Sequence, residues 1–174
     1  MKLRVIFLTL FALSAYVAGA QYTGNVAYIN TDTILNRIPG YLEAQKSLNS
    51  LAELYKNEIE GKYKVIEQMY NSYMSSKSRM TEYQQSLKED EIISLEREVK
   101  ELQNGYFGPE GVMQKKSEEL LSPIKEKVRQ VIEKMAESNG IMLIFDTAIM
   151  QGVIYNDPSK DLSEAVLKEL GLSL

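Results

Sequence analysis

The chain has 174 residues, 44% hydrophobic and 25% charged, with a net charge of −4 and no Cys, His or Trp. That length fits one domain, or one domain with an extended appendage. Without Cys or His there is no disulfide, zinc finger, thiol redox chemistry, His-ligated haem or His-based triad, and no Cys for acylation as a lipoprotein.

Residues 1–20 read as a cleavable secretory signal. Lys2 and Arg4 precede the apolar run from Val5 to Leu13, and Ala18-Gly19-Ala20 gives a small-x-small cleavage site before Gln21. The apolar run is short for a span, which needs about 20 residues, and no other segment is apolar enough to cross a membrane. The expected mature chain is soluble and exported. It carries 18 basic and 24 acidic residues, a net charge of −6, which is the wrong sign of field for general nucleic-acid or anionic-membrane binding.

Val26-Ala27-Tyr28-Ile29 is a short run of β-formers and predicts a buried strand, closed by Asn30-Thr31-Asp32. Ile34, Leu35 and Ile38 suggest a short helical turn, which Ile38-Pro39-Gly40 interrupts. From residue 41 to 138 the pattern is helical. Ile59, Ile66, Tyr73, Met80 and Leu87 fall seven apart, with Leu48, Tyr55, Tyr63, Met69, Tyr70 and Tyr83 alongside. Ile92, Leu95, Val99, Leu102 and Tyr106 step by three and four, as do Leu120, Ile124, Val128, Val131 and Met135. A heptad-like stripe between charged faces is a coiled-coil signature.

The poor helix formers around Ser75-Ser76-Lys77-Ser78, followed by a Thr81–Gln84 capping box, place a reversal near residues 76–82. A turn near Ser86, capped against Glu89, is the alternative. The outgoing arm, residues 41–79, is then about 58 Å long at 1.5 Å per residue. On the return, Phe107-Gly108-Pro109-Glu110-Gly111 predicts a kink or break, making Gly108, Pro109 and Gly111 the candidate hinge, and Pro123 a second bend.

Asn139-Gly140 is a helix stop. Ile141-Met142-Leu143-Ile144-Phe145 predicts a buried strand ending at Asp146, and Gly152-Val153-Ile154-Tyr155 a further one. Asp161 with Glu164 has the capping-box pattern for a last helix bearing Leu162, Val166 and Leu170. The fold class is therefore α+β and mostly α: a long antiparallel hairpin over residues 41–138, on a small β-rich body from residues 21–40 and 139–174. That body has a thin core for independent stability. Oligomerisation, through the candidates Val26, Tyr28, Ile29, Ile141, Leu143 and Phe145, would complete it.

These stretches together resemble the Skp/OmpH family of periplasmic chaperones over essentially the whole mature sequence. The resemblance is carried by Val26-Ala27-Tyr28-Ile29-Asn30, by Ile34-Leu35-Asn36-Arg37-Ile38-Pro39-Gly40-Tyr41 with Ala44-Gln45, by Phe107-Gly108-Pro109-Glu110-Gly111, which is similar to the Bacteroidetes branch, by Leu120-Leu121-Ser122-Pro123-Ile124, and by Asn139-Gly140 running into Ile144-Phe145-Asp146. It implies a homotrimer with a shared β-barrel body and three helical tentacles around a cavity. In that cavity unfolded outer-membrane β-barrel proteins are held in the periplasm without ATP. Well-studied members are strongly basic, with tips proposed to touch membranes or lipopolysaccharide. This mature chain is acidic, so that contact is not carried over.

A surface that holds many unfolded sequences weakly suits Tyr, with its flat apolar body and polar tip, and the flexible thioether of Met. Residues 69, 70, 73 and 74 are too widely spread around the helix to share one narrow seam. Met69, Tyr70, Tyr73 and Met74 are therefore the candidate client-binding residues, although seam packing is the plainer role for any one of them. Glu58 with Lys62 reads as an exposed helix-supporting pair, and Glu118-Glu119 as solvated surface. No catalytic constellation, metal-ligand cluster or phosphate loop is visible, so neither enzymatic activity nor a cofactor is expected. A structural coiled-coil adaptor joining specific envelope proteins is the alternative function.

Overall fold

A computed structural model describes residues 25–172; the expected leader, residues 1–20, lies outside them. Strand β1 (Val26–Ile29) is followed by helices α1 (Thr31–Leu35), α2 (Pro39–Ser76), α3 (Glu82–Phe107) and α4 (Val112–Asn139). Strand β2 (Leu143–Asp146) and helix α5 (Ser163–Glu169) complete the chain. Single 3₁₀ turns occupy Lys77–Arg79 and Pro158–Lys160.

Pro39 opens α2, at a position where its missing N–H costs nothing. The reversal lies at residues 77–81. Thr81 is the N-cap of α3, its hydroxyl accepting from the Gln84 N–H at 3.3 Å while Gln84 Oε1 accepts from the Thr81 N–H at 3.0 Å. Ser86, the alternative turn, lies inside α3. The reversal also ends the seven-residue register: Ile59, Ile66 and Tyr73 are buried, but Leu87, the next member beyond Met80, is 51% exposed.

The return is two helices. The upper part of α2 packs on α3 through Ile59, Ile66, Tyr73, Ile92 and Val99. Its lower part packs on α4 through Ala44, Leu48 and Leu121. The break between α3 and α4 falls at residues 108–111. Pro123, the expected second bend, lies inside α4, whose helical run continues unbroken through it. Pro123 is exposed and so is Glu119, whose carbonyl loses its helical donor, so water can satisfy it. Gly140 ends α4 in the left-handed region (φ 61°), with Ile141 N donating to Ala136 O at 2.9 Å and Gly140 N to Glu137 O at 3.3 Å, a Schellman motif.

The body joins both ends of the chain. β1 and β2 pair in parallel, with Val26 opposite Leu143, Ala27 opposite Ile144 and Tyr28 opposite Phe145. The inner face, bearing Ile29 and Ile144, packs on Ile34, Leu35, Val128, Val166 and Leu167. Asp146 ties β2 to α1: its carboxylate accepts from Thr31 N at 3.1 Å, Thr31 Oγ1 at 2.6 Å and Ala148 N at 3.0 Å. The other edge of β1 meets the segment before α5, where Leu162 N donates to Tyr28 O at 2.9 Å and Asn30 N to Ser163 Oγ at 2.9 Å.

Three expectations for the body change. β2 is fully covered on one face only: Leu143 is 56% and Phe145 43% exposed, because on the outer side of the sheet the loop bearing Met150, Val153 and Tyr155 only borders a groove beside Val26 and Phe145. Residues 152–155 form no strand, having no described neighbour to pair with. Asp161 and Glu164 make no capping box. Asp161 Oδ1 accepts from Ser163 N at 2.8 Å, one residue before the helix N-cap Leu162, while Glu164 turns to Arg37 at 2.9 Å.

Candidate functional site

The arm is a two-helix ribbon whose seam buries Ile59, Ile66 and Tyr73 of α2 against Ile92 and Val99 of α3, flanked by half-buried Met69, Met80, Leu95 and Leu102. Tyr73 belongs to the seam. It is 4% exposed, and its hydroxyl donates to Glu89 on α3. Lys77 Nζ lies 3.2 Å from the same carboxylate and 5.1 Å from the centre of the Tyr73 ring. The hydrogen bond from Tyr73, then that from Lys77, holds the Glu89 carboxyl below its ordinary pKa; Lys77 is raised by Tyr73 first and Glu89 second.

The four candidate client-binding residues divide accordingly. Tyr70 and Met74 stand on one side of the seam, 50% and 51% exposed. With Ile92, Ile93, Glu89 and Glu96 of α3 they line a groove of about 340 Å³, floored by Tyr73. Met69 leans to the opposite side, into a groove of about 260 Å³ with Val65, Ser72 and Met80. Further down that second side, Val65, Leu95 and Leu102 line a groove of about 390 Å³ with Glu58, Lys62 and Glu98. The structure thus places Tyr70 and Met74 together, Met69 across the ribbon from them, and Tyr73 between. Helix α3 is the acidic wall, with seven carboxylates against three cations.

At the elbow the Tyr55 and Tyr106 rings stack at 3.8 Å with planes 9° apart, and Phe107 meets both edge-on at 6.5 Å. Tyr106 Oη donates to Glu58 Oε2 at 2.8 Å. That bond, first, and burial, second, raise the Tyr106 phenol above its ordinary pKa. Glu58 therefore serves the elbow across the seam, where a pair with Lys62 was expected. Gly108 and Gly111, two of the three candidate hinge residues, sit against backbone: a Cβ on Gly108 would lie 2.4 Å from Asn104 O, and one on Gly111 2.7 Å from Tyr106 O. Gly111 N donates to Gly108 O at 2.9 Å, closing a tight turn around exposed Pro109.

The six candidate oligomerisation residues also separate. Val26, Leu143 and Phe145 point outward from the sheet, 41%, 56% and 43% exposed. Val26, Tyr28 and Phe145 line a groove of about 250 Å³ with Met150, Val153 and Tyr155. Ile29 is buried in the chain's own core, and Ile141 is half-buried at the end of α4. Among the described residues no cluster of three acidic side chains could hold a metal ion, and no helix is long and apolar enough to cross a membrane.

The elbow stack and the Tyr73–Glu89 bond escaped sequence reasoning, although a signal for both was present. Residues equidistant from a reversal face each other across a hairpin. Tyr73 and Glu89 each lie eight residues from Thr81, and Tyr55 and Tyr106 lie 26 and 25 residues from it.

The family model described as outer membrane protein (OmpH-like) matches residues 25–170. An uncharacterized protein of Aquifex aeolicus (strain VF5) is 29% identical over 160 residues, covering 92% of this chain and 94% of its own. The chaperone protein Skp of Vibrio cholerae serotype O1 is 23% identical over 167 residues, covering 94% and 93%. A crystal structure from Caulobacter crescentus CB15, described as an OmpH-like outer membrane chaperone, superposes with a TM-score of 0.61 at 11% identity, covering 90% of each chain. A match across the body strands, both arms and the last helix leaves one assignment: the chain belongs to the OmpH-like outer membrane protein family.

Proposed function

We propose that this protein is a periplasmic holdase. It binds unfolded outer-membrane β-barrel proteins on its arms without ATP and keeps them from aggregating in transit. It is exported by its leader and works as a homotrimer, without enzymatic activity or cofactor. The observation that carries this reading is the arm surface. The seam buries Ile59, Ile66, Tyr73, Ile92 and Val99, while Tyr70, Met74, Val65 and Ile93 remain half exposed beside it. Scattered apolar groups on a rigid ribbon shield apolar client segments without enclosing any one sequence. Family membership and the similarity to Skp support the same class of function.

The trimer is supported by the outer sheet face, where Val26, Leu143 and Phe145 are left partly exposed by the described residues, and by the outer edge of β2, unpaired among the described residues. An open edge and an apolar face on a two-stranded sheet are met by other strands. The elbow at residues 108–111 is the joint about which the arms adjust to client size. The assay is dilution of a urea-unfolded outer-membrane β-barrel protein with and without residues 21–174, followed by light scattering. Suppression at stoichiometric ratios without ATP is expected. Undiminished scattering from a folded, oligomeric sample would reject the holdase reading in favour of an adaptor.

A further inference from the structure

We propose that the tyrosine-lined groove of the arm prefers client segments whose apolar residues are interspersed with Lys or Arg. This deepens the holdase reading and rests on it. Tyr70, Met74 and Ile93 supply an exposed apolar floor. The rim above them is acidic. Glu89 and Glu96 both line it, and the single cation there, Lys77, is already engaged by Glu89 at 3.2 Å. Glu96 has no ion-pair partner among the described residues. The helix that supplies both carboxylates has a net charge of −4, from seven acidic and three basic side chains.

Three features of this groove act in the same direction on a bound segment. Long Lys and Arg side chains lay their methylenes on apolar surface and reach a charged rim. An exposed Tyr face attracts cations directly. A carboxylate without an ion-pair partner favours a cation and repels an acidic segment. The larger groove across the seam also has two carboxylates and one cation, Glu58, Glu98 and Lys62, but there the cation has no ion-pair partner among the described residues and opposes a bound Lys or Arg. Charge selection is therefore stronger on the tyrosine side.

The test uses three fluorescein-labelled peptides of equal length and Phe content, with Ser, Lys or Glu at the remaining positions, titrated into the full oligomeric protein at low salt. The Lys peptide is expected to bind about threefold tighter than the Ser peptide and the Glu peptide about threefold weaker, with added salt collapsing the difference. Glu96→Gln should shrink the Lys-to-Ser ratio, whereas Glu137→Gln, an equal charge change near the far end of α4, should not. Tyr70→Ser with Met74→Ser should weaken all three peptides. Equal binding of the Lys and Glu peptides, or a ratio indifferent to Glu96→Gln, would overturn the proposal. If an unfolded barrel protein is still kept soluble in that case, only the charge preference fails. If neither peptides nor barrel protein are held, the holdase reading fails with it.

Discussion

Tyr55 and Tyr106 stack face to face across the arm, ring centres 3.8 Å apart, just on the tip side of the break that divides the return of the hairpin into two helices. Phe107 closes the stack edge-on, and Glu58 accepts from the Tyr106 hydroxyl. The elbow is therefore pinned on its inner side. Tyr55→Ala removes one face of the pin and should destabilise the arm by about 1–2 kcal/mol, combining lost stacking and partial burial. Tyr106→Phe keeps the stack and should change stability less. Urea unfolding followed by circular dichroism measures both.

The glycines of the chain differ in what they tolerate. A methyl on Gly108 or Gly111 meets backbone oxygen well inside contact distance, whereas Gly61, on an open helical surface, has nothing within 4 Å. Gly111→Ala should shift the path of the chain at the elbow, read as a changed distance distribution between spin labels at Asn57 and Lys125. Gly61→Ala should leave that distribution unchanged and raise stability by up to about 1 kcal/mol, since Ala replaces Gly in a helix interior. Equal effects at the two sites would argue against a tight elbow turn.

Near the tip, Glu89 titrates below its ordinary value of 4.5 because Tyr73, then Lys77, stabilise its charged form. A depressed carboxyl contributes stability that is present above about pH 4.5 and is lost as pH falls through the lower folded value. Amide protection factors around residues 73–89, corrected for the intrinsic pH dependence of exchange, should fall over that acid range in the wild type. In Glu89→Gln they should be lower at neutral pH and flatter with acid. An identical pH profile in the variant would remove Glu89 from tip stability.

Much of the arm was legible in the sequence because a long helix advertises itself by repetition. Thr81 and Gln84, read as a capping box beside a reversal near residues 76–82, do cap α3, and Gly140 caps the end of α4. The position of Tyr73 was less legible. Spacing put it in both the buried row and the client-binding set, and only the pairing with Glu89 across the reversal decides for the seam. The body was harder to read for a different reason. The run 141–145 is apolar at every position, which is the pattern of a strand covered on both faces. The described residues fully cover only one, with Ile144 turned inward and Leu143 and Phe145 outward. Residues 152–155 carry β-formers with no described partner strand for the same reason.

The outer sheet face makes a separate prediction. Leu143→Asp or Phe145→Asp alters no contact in the chain's own core, so the helical content should persist. If copies of the chain cover this face, either change removes apolar burial worth about 1.5–3 kcal/mol per side chain at each interface and buries a charge. The trimer should dissociate, as judged by sedimentation. Ile29→Asp, which strikes the internal core, should instead unfold the body. A monomeric wild type would refute the shared-body account.

The most direct measurement is the mass of the complex formed when residues 21–174 meet a urea-unfolded outer-membrane β-barrel protein on dilution without nucleotide, by analytical ultracentrifugation. The account predicts a soluble species containing three copies of the chain and client, weakened by Tyr70→Ser with Met74→Ser while the trimer persists. A trimer that sediments alone beside aggregated client would contradict it.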